Sequence, residues 1–506
     1  MNYYKHIIAI VSIFIAFSSC TDEFDTLIKD PIALPANPDG QLSFVQLSMS
    51  GDRYYQWRAN LIYSGGFVQH YSGAWNVTEF GGRFKKNDDY AHAYWRRAYA
   101  IEMKNLVDII ATTNGVPEKA NINAIAKIMK VMTGQRLTDL YGDVPYSEAG
   151  VGFLEGVVTP RYDRQEEIYA SFFKDLEESF NQLNANGGAV PGDLFYNGDI
   201  SKWKKLANTL RLRLGMRLSE IAPAEAEKQV KAAFANGVFD SNADNCIMHH
   251  IDIDFNGDIT DFRGNGLAQA LTANDNADHF SSLLIDFLKN HDDPRLTMIA
   301  TPKTSSGVIW GGAIQPGEDL YVGIPGGTFQ WDVFGGATAT SGIQPYLKEN
   351  TAPFLHVGYS EAQLLLAEAA FRGWVSGSAA DYYKAGVEAG MKQLTIYGAA
   401  DPSQSAINDY LTNYPLQSGT EMEQISTQLW VTYLFNSIEA YSNWRRTGYP
   451  VLDAVTAPDS ETGGIVPTRL YYPNDELQKN EANYLEALGR MDGTNDWLNK
   501  VWWDAN

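Results

Sequence analysis

Apolar residues recur every three to four positions along much of the chain, which is the spacing of one face of an α-helix. Ile168, Phe172, Leu176 and Phe180 follow one another at four-residue steps. The same spacing predicts helices over 89–110, 122–132, 163–183, 201–218, 360–373 and 379–394. We therefore expect a mainly α protein whose helical scaffold lies roughly in 86–235 and 355–450.

Local signals add detail to two of these helices. Asp163 and Glu166 form a D-x-x-E pattern that resembles a capping box, which predicts a helix start at this point. Ala379, Tyr383 and Gly386 are spaced like the small–aromatic–small seam of a tetratricopeptide helix. A single helix of this kind is equally consistent with a tetratricopeptide repeat and with a helical pair that is not part of a repeat.

The helical spacing fades between about 241 and 350, apart from 280–288, and Gly, Asn, Asp and Thr become frequent. Within this region, residues 307–342 contain three Gly-Gly pairs with aromatic residues between them. Loops held by a rigid scaffold are where binding usually occurs. We therefore expect 241–350 to be a loop-rich region on the ligand side.

The N-terminus has the pattern of an exported lipoprotein. Lys5 and His6 precede an apolar run from Ile7 to Phe17, which is too short to span a bilayer. Ser18 and Ser19 then precede Cys20, which fits a lipobox except that its first position holds Phe17. We expect a signal peptide over 1–19, a lipidated N-terminus and tether over 20–40 and one domain over 41–506. The alternative is an ordinary signal peptide with an incidental cysteine.

The amino-acid composition restricts the classes of ligand and partner that the protein can bind. The 39 Lys and Arg against 61 Asp and Glu give a net charge of −22, which argues against nucleic acid and favours a neutral or weakly charged ligand. The chain has two cysteines, Cys20 and Cys246. If Cys20 carries lipid, Cys246 has no cysteine to pair with, so an internal disulfide is not expected. Acidic residues behind Cys20 resemble a surface-export signal, which predicts an outer-membrane protein that faces the exterior.

Several segments together resemble the SusD/RagB family of nutrient-binding outer-membrane lipoproteins. They are 141–149 (YGDVPYSEA), 202–208 (KWKKLAN) leading to 211–214 (RLRL), 359–369 (YSEAQLLLAEA) with 373–374 (GW), 444–450 (WRRTGYP), 467–473 (PTRLYYP) and 498–504 (LNKVWWD). They occur in the expected order and span nearly the whole mature chain.

The resemblance implies a SusD-like fold: a scaffold of four tetratricopeptide-like helix pairs with long irregular insertions that build the ligand surface. It implies a SusC-type TonB-dependent outer-membrane transporter as partner, a lipid anchor in the outer membrane, and no required cofactor. The ligand would be a glycan or oligosaccharide, or a peptide or other nutrient in the RagB branch. Trp444, Arg445 and Arg446 are then better interpreted as scaffold residues than as a site.

Sugar binding needs exposed flat aromatic rings beside amide, carboxylate or guanidinium groups. Residues 69–83 supply Tyr71, Trp75, Asn76 and Arg83. The glycine-rich segment supplies the aromatic residues Trp310, Tyr321, Phe329 and Trp331. Burial in a local core explains any one of them equally well, but we expect at least one of Trp75 and Trp331 to face the ligand.

A weak calcium motif lies upstream of the glycine-rich segment. Asp252, Asp254, Asn256 and Asp258 place oxygen ligands at alternating positions, as in an EF-hand-like loop. Arg263 stands at the twelfth position, where such a loop has its closing Glu. The motif therefore fits either a structural calcium site or a solvated acidic turn.

Catalysis is the remote alternative, in the form of a glycan-active enzyme. The carboxylates are so many that some pair could always be placed in glycosidase geometry. The sequence contains no G-x-S-x-G elbow, Walker loop or zinc signature. We therefore expect a binding protein and not an enzyme.

Overall fold

Helices make up most of the structure, a computed structural model that describes residues 37–253, 261–273, 279–306, 312–333 and 336–505. Apart from Asn37, these residues belong to one compact unit, Pro38–Asn506. The prediction of a mainly α protein is confirmed.

The longer α-helices are α1 Pro38–Gly51, α2 Lys104–Thr113, α3 Ala120–Tyr141, α4 Gln165–Gln182, α5 Ile200–Arg217, α6 Pro223–Asn236, α7 Gly266–Ala273, α8 Ser282–Asn290, α9 Tyr359–Phe371, α10 Ala379–Gln393, α11 Gln404–Asn413, α12 Glu421–Thr432, α13 Ser437–Thr447 and α14 Glu481–Gly489. Short α-helical turns are Arg53–Tyr55, Gly65–Phe67, Asp88–Ala91, Ala93–Arg97, Gly152–Glu155, Arg295–Ile299 and Glu476–Lys479. Segments with π-helical bonding are Gln56–Ser64, Val77–Gly82 and Ala98–Met103. The strands among the described residues are β1 Cys246–Met248, β2 Ala300–Thr301, β3 Gly342–Ile343 and β4 Phe354–Val357.

Consecutive helices pack against each other to build the scaffold. From α2 to α6 each helix contacts the next one, and α9 packs against α10 and α12. At the α9–α10 contact a Cβ on Gly386 would lie 2.7 Å from Cγ of Leu364, so this position needs a residue without a side chain. The helix α5 also contacts α9, which joins the two groups of helices.

The start of α4 differs from the prediction. The helix begins at Gln165, and Arg164 occupies the N-cap position without a side-chain hydrogen bond. The Asp163 carboxylate instead accepts hydrogen bonds from the backbone N–H groups of Tyr146 and Ser147, at 3.0 and 2.7 Å. The predicted capping box is therefore wrong, because the Asp163 carboxylate binds the loop at 146–147 and not the N-terminus of its own helix.

Segments that carry the family resemblance meet in the interior. Arg213 of the RLRL segment donates to Glu361 of the YSEA segment at 2.7 Å. The main-chain oxygen of Asp143 in the YGDVPY segment accepts a 2.7 Å hydrogen bond from the Tyr472 hydroxyl of the PTRLYYP segment. Arg445 is buried and donates to the Thr468 carbonyl at 2.9 Å. These residues hold the helices together, as expected for scaffold positions.

Two antiparallel strand pairs hold the region between the helix groups. Strand β1 pairs with β4, with Cys246 opposite Val357, and β2 pairs with β3. Isolated bridges then join the 71–73 segment to the same region, Tyr71 to Phe280 and Gly73 to Phe329. The two sequence regions predicted to contain the binding residues are thereby brought side by side.

Candidate functional site

The main chains of the two candidate regions are hydrogen-bonded to each other. Gly73 forms a parallel bridge with Phe329, and the Gln330 N–H donates to the Gly73 carbonyl at 2.9 Å. Gly73 has a φ of +94°, and a Cβ there would lie 2.3 Å from Cδ1 of Ile324. A glycine is required because of both the backbone conformation and this close approach.

This contact assembles three rings into a cluster that we call the aromatic platform, consisting of Trp75, Phe329 and Trp331. The Phe329 and Trp331 rings stack with centroids 4.5 Å apart and planes 11° apart. The Trp75 ring lies 5.5 Å from that of Trp331. Trp75 and Trp331 are 61% and 50% exposed, whereas Phe329 is only 8% exposed. Phe329 is thus the buried support of two tryptophans that are open to solvent.

Arg83 supports the platform by lying over the Phe329 ring. Its guanidinium carbon lies 4.3 Å from the centre of the Phe329 ring, and its Nε donates to the Gly327 carbonyl at 2.9 Å. Its two terminal nitrogens lie 3.5 Å from Asp459 and 4.0 Å from Asp332. Arg83 therefore joins three segments that are far apart in sequence, and most of its bonding capacity is used within the protein.

The other predicted residues vary in exposure. Asn76 follows Trp75, is partly buried and accepts a hydrogen bond from the Tyr90 hydroxyl at 3.5 Å. Tyr321 packs partly buried against the core, and burial raises its pKa. Trp310 lies outside the described residues, as does the predicted lipidation site Cys20.

Tyr71 is a correction to the predicted ligand surface. It is 2% exposed, its ring stacks on Phe280, and its hydroxyl donates to the Leu434 carbonyl at 2.9 Å. The neighbouring His70 is also buried, and burial lowers its pKa to about 3. Both residues belong to the core beneath the platform and present no surface to a ligand.

The calcium motif falls largely on residues that the structure does not describe. Asp252 is described, whereas Asp254, Asn256 and Asp258 lie outside the described residues. In the described ranges, no group of three or more His, Cys, Asp or Glu side chains is arranged to hold a metal ion. A structural calcium at 252–258 remains a prediction.

The segment around 453–461 completes the site and was not anticipated from the sequence. The Gln69 amide donates to the Asp453 carbonyl at 2.7 Å. Asp459 lies 3.5 Å from Arg83 and 3.2 Å from Lys85. This segment has no helical or strand periodicity, so the sequence carries no signal that would have placed it here.

None of the described helices is long and apolar enough to cross a membrane. A family described as starch-binding and associating with the outer membrane, SusD-like, matches residues 42–473. Comparison with curated protein sequences gave no match.

Solved structures give the same assignment. A chitin-binding protein of known structure is 68% identical, with a TM-score of 0.88 over 93% of this chain and 100% of the other. A Bacteroidetes SusD-like protein is 29% identical, with a TM-score of 0.84 over 93% and 100%. A chitin-binding SusD homologue from Flavobacterium johnsoniae, 23% identical with a TM-score of 0.76 over 93% and 99%, shows the same fold.

These matches confirm the tetratricopeptide-like helical fold and the predicted resemblance. The matched family consists of binding proteins, so the chain is not an enzyme. The chain belongs to the SusD-like family of glycan-binding proteins associated with the outer membrane at the cell surface.

Proposed function

We propose that this protein captures oligosaccharides derived from chitin on the aromatic platform and delivers them to a SusC-type TonB-dependent transporter. The observation that carries the proposal is the contact between Trp75 and Trp331, two half-exposed indoles 5.5 Å apart that come from distant parts of the chain. The 68% identical structure is that of a chitin-binding protein, which supports the choice of sugar.

The chemistry of the platform suits a chain of pyranose rings. Each ring has a face of C–H groups that packs against an indole, and an edge of hydroxyl and acetamido groups that needs hydrogen-bond partners. Trp75 and Trp331 offer the flat surfaces, while Asn76 and Asp332 place an amide and a carboxylate next to them. Because Phe329 and Arg83 already fix the rings, little side-chain entropy would be lost on binding.

The cellular setting in this proposal rests on the family and on the N-terminal sequence. A lipid on Cys20 would tether the protein to the outer membrane on its outer face. Metabolic labelling with a palmitate analogue should mark the full chain and not Cys20→Ser. A TonB-dependent barrel should co-purify with the lipidated protein from outer membranes, and its absence under mild detergent would contradict the transporter partnership.

Ligand capture can be tested by calorimetry on the soluble form that starts at Thr21. Chitin oligosaccharides should bind, and Trp75→Ala or Trp331→Ala should weaken binding at least tenfold, which corresponds to about 1.4 kcal/mol. Phe153→Ala is the matched control, because Phe153 is an aromatic residue that is 94% exposed outside the platform. Binding of gluco-oligosaccharides or short peptides instead of chitin oligosaccharides would overturn the choice of ligand.

A further inference from the structure

An exposed carboxylate stands next to the platform. Asp332 follows Trp331 directly in the turn Gln330–Asp332, and its N–H donates to the Phe329 carbonyl at 2.9 Å. Its side chain is 50% exposed, and it reaches Arg83 only at 4.0 Å. The backbone of Asp332 is therefore fixed to the platform, while its carboxylate is open to solvent.

Arg83, the cation that lies 4.0 Å from Asp332, is engaged by closer partners, and so is the neighbouring Lys85. Arg83 is 3.5 Å from Asp459 and donates to the Gly327 carbonyl. Lys85 forms ion pairs with Glu79 and with Asp459. Among the described residues of this group, the three carboxylates of Asp332, Asp459 and Glu79 pair with two cations, Arg83 and Lys85. Asp332 has the longest ion-pair distance of the three carboxylates. The chain as a whole adds a net charge of −22.

We infer that the platform prefers oligosaccharides with free amino groups, that is, partly deacetylated chitin containing glucosamine units, and that Asp332 binds the ammonium group. This inference rests on the proposed function. Removal of an acetyl group converts a neutral acetamide into an amine that is protonated in mildly acidic medium. An ammonium group forms stronger hydrogen bonds to a carboxylate than a neutral N–H group does. It is also attracted to the faces of tryptophan rings.

The experiment compares three oligosaccharides of equal length by calorimetry in mildly acidic buffer: fully acetylated, fully deacetylated and one based on glucose. We expect the deacetylated chain to bind about tenfold more tightly than the acetylated one, about 1.4 kcal/mol. Because the pair is exposed, this advantage should shrink as salt is added. Asp332→Asn should abolish the advantage.

Two controls separate a specific contact from general attraction to an acidic protein. Asp319 has a side chain that is 68% exposed and is paired with Lys289 outside the platform, so Asp319→Asn should keep the advantage. A short lysine peptide, which has charge but no sugar rings, should not displace the acetylated chain.

The outcomes distinguish this inference from the function on which it rests. Equal or weaker binding of the deacetylated chain, with normal binding of the acetylated one, overturns the inference and leaves the proposed function intact. An advantage that survives Asp332→Asn overturns the role of Asp332. Failure of both amino-sugar chains to bind overturns the proposed function itself.

Discussion

Arg446 and Glu368 form a buried, bidentate ion pair that joins helix α13 to helix α9. Nη1 and Nη2 of Arg446 each lie 2.7 Å from a carboxylate oxygen of Glu368. Both side chains are at most 2% exposed, and Arg372 also reaches Glu368 at 2.9 Å. Removing one partner of such a pair leaves an uncompensated charge in the interior.

Arg446→Leu should therefore lower the free energy of unfolding by about 3 kcal/mol, the low end of the range for a broken buried pair, because Arg372 remains. Urea denaturation measures the change. The control is Lys231→Ala, which removes an exposed pair with Glu227 and should cost at most about 1 kcal/mol. A loss for Arg446→Leu no larger than for the control would contradict a structural role for this arginine.

The same ion pair makes the stability of the fold depend on pH. Burial alone would raise the pKa of Glu368, but Arg446 and Arg372 outweigh it and hold the pKa below its ordinary value of 4.5. A carboxyl group with a lowered pKa stabilises the fold above its ordinary pKa, and this contribution is lost as the pH falls through the lowered value. The stability difference between the wild type and Glu368→Gln should therefore shrink as the pH falls below 4.5.

The contribution of Glu102 to stability depends on pH in the opposite direction. It is buried, accepts a 2.8 Å hydrogen bond from the Thr133 hydroxyl, and burial raises its pKa from 4.5 to about 7. Because the folded state then holds the proton more tightly than the unfolded state, this group destabilises the fold as the pH rises from 4.5 to about 7.

Glu102→Gln should remove this effect and stabilise the protein above pH 7 by up to about 3 kcal/mol. Thermal unfolding measured between roughly pH 4 and 8 would test this. The variant should show a flatter profile of stability against pH than the wild type. The exposed Glu118 serves as control, since Glu118→Gln should leave the profile unchanged. A profile for Glu102→Gln that parallels the wild type would contradict the raised pKa.

The sequence predicted the helices well because their apolar stripes match the buried faces. The stripe from Ile168 to Leu176 is buried along α4 as its spacing required. The exposure of the candidate site residues could not be predicted in the same way. Tyr71 and Trp75 lie in one segment, yet one is 2% and the other 61% exposed. That difference depends on Phe280 and other residues more than two hundred positions away.

The contacts between loops show the same limit. Trp75 and Trp331 were predicted separately, and only the bridge between Gly73 and Phe329 shows that they form one surface. Asp459 was missed because its position beside Arg83 comes from a loop without periodicity. Local propensity determines helices, whereas a site built from loops depends on tertiary contacts that leave little trace in the local pattern.

Gly81 makes a close contact in the segment that links Trp75 to Arg83. It lies in the segment Val77–Gly82, and a Cβ there would be 1.9 Å from the Ile62 carbonyl oxygen. Because that oxygen belongs to the main chain, Gly81→Ala must displace backbone between Trp75 and Arg83. We expect a loss of about 1–3 kcal/mol in the free energy of unfolding, together with weaker oligosaccharide binding.

The control for this change is Gly489→Ala. Gly489 ends helix α14, and a Cβ there would have open space around it. This substitution should alter stability by no more than about 0.5 kcal/mol and should not affect binding. If Gly81→Ala binds oligosaccharide as tightly as Gly489→Ala does, the platform does not depend on this contact.

Arg83 should act on the ligand through the platform. Its guanidinium lies 4.3 Å from the Phe329 ring and is bonded to Gly327, so it positions the ring on which Trp331 stacks. Arg83→Gln should weaken binding of the acetylated oligosaccharide about tenfold, or about 1.4 kcal/mol, although Trp75 and Trp331 are unchanged. Arg83→Lys should recover little of this loss, because an ammonium lacks the planar fork that stacks and bonds at once.

Tryptophan fluorescence without ligand separates positioning from direct contact. If Arg83 holds the platform, Arg83→Gln should shift the emission of the free protein, because Trp331 loses its fixed support. Arg263→Gln is the control, since Arg263 is an exposed arginine whose ion-pair partner is Asp261, two residues before it. An unchanged spectrum combined with weaker binding would instead assign Arg83 to direct contact with the sugar.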